Sequence, residues 1–168
     1  MIFLTIGTQE PFDRLVKAVD GWAGAHSMPV FGQLGALKPE SYRPVNFAFE
    51  QFLGADVYQE KLDACQMLVA HAGMGSIISA LTRSKPILIM PRRASLGEHR
   101  NEHQLATAHK FRDRPGVHVA FEEGDVGGLI DRLLRADSTT WVSDLPHEAS
   151  PELIAALRFF IHTRSRAL

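Results

Sequence analysis

Short apolar runs alternating with helix-spaced apolar patterns constrain this chain most, because that alternation marks an α/β domain with a mostly parallel sheet. Ile2–Ile6 reads as a buried strand of Ile, Phe and Leu, and Pro86–Met90 as a second. Pro29–Leu34, Asn46–Phe49, Gln66–Ala70 and Val117–Phe121 supply the remaining strands. Between them, Phe12, Leu15, Val16 and Val19 recur at helical spacing, and Val57–Leu62 gives a short helix. Further helices are predicted over 76–82, 102–111 and 126–134, with a long loop over Pro91–Asn101. Residues 137–150 read as a polar, turn-rich connection, and Pro151–Ile161 as an amphipathic helix with proline at a tolerated first-turn position. The predicted fold class is α/β, a Rossmann-like, mostly parallel sheet with flanking helices.

Composition narrows the function classes. A chain of 168 residues with 45% apolar and 22% charged residues excludes disorder, collagen and coiled coil as readings. Its length predicts one domain over 1–168, with a core over about 1–135 and a C-terminal helix over 151–163. The net charge of −1 argues against nucleic-acid binding through general cationic attraction. Cys65 is the single cysteine, which excludes an intrachain disulfide and a zinc ribbon and suits a reducing cytoplasm. The start carries no basic leader, so no signal peptide is expected. Ala64–Thr82 holds no formal charge over 19 positions, but His71, Gly73, Gly75, Ser76 and Ser79 interrupt it. A strand, a glycine turn and a helix start explain it better than a membrane span.

Met67–Ser76 is the strongest local feature: a strand, then Gly73-Met74-Gly75-Ser76 opening a helix. Glycines let the backbone approach an anion, and free N–H groups with the helix dipole favour a diphosphate there. A plain strand-to-helix turn is the competing reading. Ile78 stands where the third glycine of a dinucleotide fingerprint belongs, and no phosphate-binding Gly-Lys-Ser/Thr loop is present. A nicotinamide enzyme and a P-loop ATPase are therefore disfavoured. His71 ends the strand and reads first as a structural residue; it is also the one candidate base, because its ordinary pKa lies near neutrality.

Pro91-Arg92-Arg93 lies just past the carboxyl end of the Pro86–Met90 strand, where ligands bind in open α/β sheets. Residues 92–114 carry a local charge of +3 and residues 1–63 one of −3, a polarity hidden by the net charge. A solvated basic face competes with anion binding for these arginines. In Gly97–Gln104, Glu98, Asn101, His103 and Gln104 are suited to hydrogen-bonding sugar and ribose hydroxyls. A zinc hydrolase using His99, Glu102 and His103 is the rival reading, and a bland surface helix a third. Gly97 and Ser95 lie just upstream and place His99 before or at the helix start, against zinc.

Taken in order, these features resemble the C-terminal, donor-binding domain of glycosyltransferase family 28, and the small soluble subunits of its two-component members above all. The carrying residues are Ile6-Gly7-Thr8 with Phe12-Asp13-Leu15-Val16, Gln33-Leu34-Gly35, His71–Ser76, Lys85-Pro86, Pro91–Arg93, and Gly97-Glu98-His99 with Asn101, His103 and Gln104. Pro-Arg-Arg with Gly-Glu-His tilts the likeness to the bacterial polysaccharide branch. The resemblance implies one half of a GT-B fold that binds a UDP-sugar at the carboxyl ends of its strands. In it, Gly7, Thr8, His71, Gly73, Met74, Gly75 and Ser76 face the cleft, His103 and Gln104 lie at the donor, and Arg92, Arg93, Glu98 and Asn101 are further substrate-binding candidates. One position departs: Ser79 stands where the family commonly carries a ribose-gripping glutamate, with Glu98 as the candidate to compensate.

The resemblance further implies an inverting, metal-independent hexosyltransferase subunit. It would move a hexose or hexuronic acid from a UDP-sugar to a lipid-diphosphate-linked acceptor in exopolysaccharide or capsule synthesis. No metal site and no cofactor are expected, the UDP-sugar being a substrate. A membrane-bound partner subunit would supply the acceptor site and recruit the cytoplasmic chain to the inner face of the membrane. The rival of another class is a non-catalytic nucleotide-sugar-binding regulatory subunit. Leu153, Ile154, Leu157, Phe160 and Ile161 form a stripe on the last helix that either closes the domain's own core, docks on the partner or lies on anionic lipid.

Overall fold

The computed structural model describes residues 1–136 and 150–164, with side chains through 160. Six strands form one parallel sheet: β1 (Ile2–Thr5), β2 (Val30–Gln33), β3 (Ala48–Glu50), β4 (Met67–His71), β5 (Ile87–Met90) and β6 (Val117–Val119). Their order across the sheet is β3-β2-β1-β4-β5-β6, the order of a dinucleotide-type doubly wound domain. All six expected strands are present, most a residue or two shorter than the apolar runs that announce them.

Both faces of the sheet are covered, which is why its central strands are continuously apolar instead of alternating. Ile2, Leu4, Met67, Val69, Leu88 and Met90 face one layer, built by α1 (Asp13–Gly24) and α5 (Glu123–Arg135). Phe3, Leu68, Ala70, Ile87 and Ile89 face the other, built by α2 (Ala55–Ala64), α3 (Met74–Leu81) and α4 (His103–Phe111). Side chains such as Phe3, Leu4, Leu15 and Ile77 are fully buried, each contributing roughly 1.5–3 kcal/mol by leaving water.

The helices follow their apolar stripes. Leu15, Val16, Val19 and Trp22 turn inward on α1, and Val126, Ile130 and Leu133 on α5. The two helices pack side by side, and Trp22 Nε1 donates to Asp131 Oδ1 at 2.8 Å. α5 starts three residues before the expected Val126, because Glu123 and Asp125 place acidic side chains in the first turn, where the helix dipole favours them. α3 starts at Met74, two residues earlier than expected. The 91–101 segment is a loop except for a single 3₁₀ turn at Ala94–Leu96.

The expected 137–150 connection lies outside the described residues except for Ser150, whose Oγ accepts from Leu153 N at 3.3 Å at the start of α6 (Pro151–Arg164). Leu153 and Leu157 are each about half exposed, so these two side chains do not sit in the buried core. Of the three readings of that helix, closure of the domain's own core is the one this exposure goes against. Among the described residues, no helix is long and apolar enough to cross a membrane.

Candidate active site

The sheet order reverses direction between β1 and β4, and crossovers to opposite faces open a crevice beyond the carboxyl ends of those strands. A cleft of about 620 Å³ lies there. The loop after β1 supplies Gly7, Thr8, Gln9 and Glu10; β4 supplies His71; the segment after β5 supplies Arg92, Glu98 and Arg100. A second hollow, of about 740 Å³, adjoins it along α1 and shares Glu10, Lys38, Gly97 and Glu98 with it. Lys38 Nζ and Glu10 Oε2 pair at 3.1 Å on that shared border.

His71 marks the floor. Its ring lies between two glycine turns: a Cβ on Gly73 would stand 2.3 Å from Nε2, and one on Gly7, whose φ is +82°, 3.1 Å from Cε1. The ring therefore fits only because both turns lack side chains. Burial, with the nearby Arg92 charge in second place, pushes the His71 pKa down to about 4. The imidazole is neutral at pH 7, and its Nδ1 is buried without a hydrogen-bond partner.

Arg92 is 2% exposed, and both terminal nitrogens of its guanidinium donate to the protein. Nη2 donates to Ile6 O at 2.7 Å and Glu10 O at 2.6 Å, Nη1 donates to Pro11 O, and the guanidinium stacks 4.7 Å from the Phe12 ring centre. Burial lowers its pKa to about 10, partly offset by Glu98 and Glu10, so it stays charged near neutrality. Arg92 lines the cleft, with a planar fork of donors used to grip a loop of carbonyls. Arg93 does not line the cleft; its Nη2 donates to Phe121 O at 2.9 Å and Glu122 Oε1 at 2.6 Å.

Glu98 is tied down too. Its carboxylate accepts from Arg14 Nε and Nη2, both at 2.9 Å, and from the Arg93 main-chain N–H at 2.9 Å. It lines the cleft with these three bonds already made. Gln104 is buried at the cleft wall, where Oε1 accepts from Arg92 N at 3.1 Å and the amide nitrogen is left without a bond to any described residue.

The expected site residues thus divide. Gly7, Thr8, His71, Arg92, Glu98 and Gln104 line one cleft. Gly73, Met74, Gly75 and Ser76 form the turn and first helical residues beyond His71 and do not line it, and neither do Asn101 and His103. Asn101 Oδ1 instead accepts from the His103 N–H at 3.2 Å as α4 begins, and lies 3.1 Å from His99 Nδ1. His99 sits four residues before His103, outside α4, so the two histidines do not share the helix face that zinc binding through the motif requires. Arg14, Arg100, Lys38 and Glu10 escaped the sequence reading as members of the two hollows. Each is one charge in a locally mixed segment, and only the fold collects them.

No protein-family model matches the sequence. Over 109 residues the chain is 26% identical to the UDP-N-acetylglucosamine transferase subunit ALG13 of Mus musculus, covering 60% of this chain and 9% of that relative. The chain is similar to that subunit over those residues. It spans only about a tenth of the relative's length. The solution structure of ALG13 superposes with a TM-score of 0.54 at 20% identity, over 93% of this chain and 94% of that one. The forosaminyltransferase SpnP, a spinosyn enzyme, superposes with a TM-score of 0.57 at 20% identity, over 82% of this chain and 36% of that one. The fold of this chain is that of a GT-B glycosyltransferase half-domain, as the resemblance to glycosyltransferases implied.

Proposed function

We propose that this chain is the UDP-sugar-binding subunit of a glycosyltransferase. The observation that carries the reading is the 620 Å³ cleft at the carboxyl ends of β1 and β4, in a chain similar to a UDP-N-acetylglucosamine transferase subunit. A nucleotide diphosphate meets there the Gly7–Thr8 turn, the neutral His71 and a buried cation beneath the floor. Charge developing on the departing UDP is stabilised by such preorganised groups without rearrangement. His71 is suited to hydrogen-bond that anion as a neutral ring. As a base it is weak, because a group with a pKa of about 4 holds a proton poorly at pH 7.

The finer reading keeps one donor-binding domain and an inverting, metal-independent transfer of a hexose or hexuronic acid. The acceptor is a lipid-linked diphosphate in exopolysaccharide or capsule synthesis, held by a membrane-bound partner that recruits the chain to the cytoplasmic face. The test is calorimetric titration of the chain with UDP and UDP-sugars, followed by a transfer assay with and without the co-expressed membrane subunit. Binding of UDP without turnover by the chain alone, and turnover on adding the partner, is the expected result. Turnover by the chain alone removes the partner from the reading, and no UDP binding removes the reading itself.

A further inference from the structure

The cleft contains more cations than it offers to a ligand. Arg92 is buried and committed to main-chain carbonyls, and Lys38 is paired with Glu10. Arg14, on the border of the adjoining hollow, gives Nε and Nη2 to Glu98, with Nη2 also reaching Pro91 O, and gives Nη1 to Glu123. Arg100 differs from all of them: it lines the cleft, is exposed, and makes no hydrogen bond or ion pair with any described residue. It extends from the loop after Gly97, whose position is set by Glu98 clamped on Arg14 and by Arg92 Nη1 reaching Glu98 O at 3.5 Å. A solvated guanidinium on a braced loop, unpaired among the described residues, meets an anion without first breaking a bond, whereas Arg92 would have to release main-chain carbonyls.

We propose that Arg100 is the cation that contacts the diphosphate in the cleft, and that Arg92 is a positioning residue that shapes the loop after β1 beneath it. This rests on the UDP-sugar reading above and assigns its charge contact to a residue outside the motifs that suggested it. The division of labour has a chemical signature. Removing Arg100 costs affinity only for ligands that carry the diphosphate. Altering Arg92 deforms the Ile6–Pro11 loop and costs affinity for every ligand the loop touches, charged or not.

The experiment is calorimetric titration of the full chain and its variants with uridine, UDP, UDP-glucose and UDP-glucuronate. For Arg100→Ala, UDP affinity is expected to fall about tenfold, equivalent to about 1.4 kcal/mol, with uridine affinity and the unfolding midpoint unchanged. Arg100→Lys is expected to recover part of the loss. For Arg92→Lys, uridine and UDP affinities fall together and the unfolding midpoint drops; outright failure to fold equally agrees with its buried bonds. The proposal is overturned if Arg100→Ala binds UDP as the wild type does, or if Arg92→Lys loses UDP selectively while keeping uridine. A loss confined to UDP-glucuronate moves the Arg100 contact to a sugar carboxylate and overturns the diphosphate assignment. If the wild-type chain binds neither uridine nor UDP, the UDP-sugar reading fails and takes this inference with it.

Discussion

Arg14 on α1 holds the carboxylate of Glu98, 84 residues further along the chain, through two parallel hydrogen bonds of 2.9 Å. The pair is largely shielded, with side chains 12% and 14% exposed. It ties the cleft loop after β5 to the first turn of α1, and the Arg93 N–H adds a third bond to the same carboxylate. Removing one partner leaves the other charge desolvated, so each of Arg14→Ala and Glu98→Ala is expected to cost about 2 kcal/mol in urea unfolding. The double variant should cost clearly less than the two singles together, since the second change removes a group already stranded. Strict additivity would mean that the pair carries no coupling.

The extent to which the sequence foretells this arrangement differs between scaffold and site. Ile2–Ile6 and Pro86–Met90 are legible as strands because burial on both faces demands continuous apolar runs. Helix starts are less legible: Glu123-Gly124-Asp125 has no apolar periodicity, yet it is the first turn of α5. His71 and Gly7 are legible as a strand end and a glycine turn. The role of Arg92 is not, because its partners are main-chain carbonyls some eighty residues away, and residue types do not encode where a carbonyl points. The Arg14 partner of Glu98 is illegible for the same reason, since it lies 84 residues away in the chain.

Two glycines two residues apart should respond oppositely to alanine. A Cβ on Gly73 meets His71 Nε2 at 2.3 Å, so Gly73→Ala must displace the imidazole from its slot. A Cβ on Gly75 meets nothing within 4 Å, and the residue lies in the first turn of α3. Gly73→Ala is expected to destabilise by about 1–3 kcal/mol and to move the His71 ring resonances in an NMR spectrum. Gly75→Ala should be neutral or stabilising by up to about 1 kcal/mol. Equal effects in thermal unfolding would contradict the placement of His71.

Asp20 anchors the loop after β2 from inside α1. Its carboxylate accepts from Tyr42 Oη at 2.7 Å, from Val45 N at 3.1 Å and from Asn46 N at 2.8 Å. Burial pushes its pKa up, but these donors outweigh it and hold the carboxyl below its ordinary value. Because the folded pKa is depressed, the stabilisation is present above the unfolded value near 4 and is lost as pH falls through the folded value. Asp20→Asn keeps the shape and removes the charge, and is expected to cost about 2 kcal/mol at pH 7. The loss should shrink in unfolding measurements carried toward pH 2. A loss that stays constant down to that pH would point to shape instead of charge.

His71 gives the chain a second acid sensitivity, with the opposite chemistry. Its folded pKa of about 4 lies below the unfolded value near 6.5, so between those limits the unfolded chain binds a proton that the folded one refuses. Stability is therefore unaffected by this group above about pH 7 and is drained as pH falls from 6.5 toward 4. The shift implies a loss on the order of 2 kcal/mol between pH 7 and pH 5 from this residue alone. His71→Gln does not titrate, so its unfolding free energy should decline less over the same interval than that of the wild type. Parallel declines in the two proteins would show that the imidazole is accessible to protons in the folded state. The neutral ring at the floor of the cleft would then have to be abandoned, and with it the assignment of His71 as an uncharged hydrogen-bonding group for the departing diphosphate.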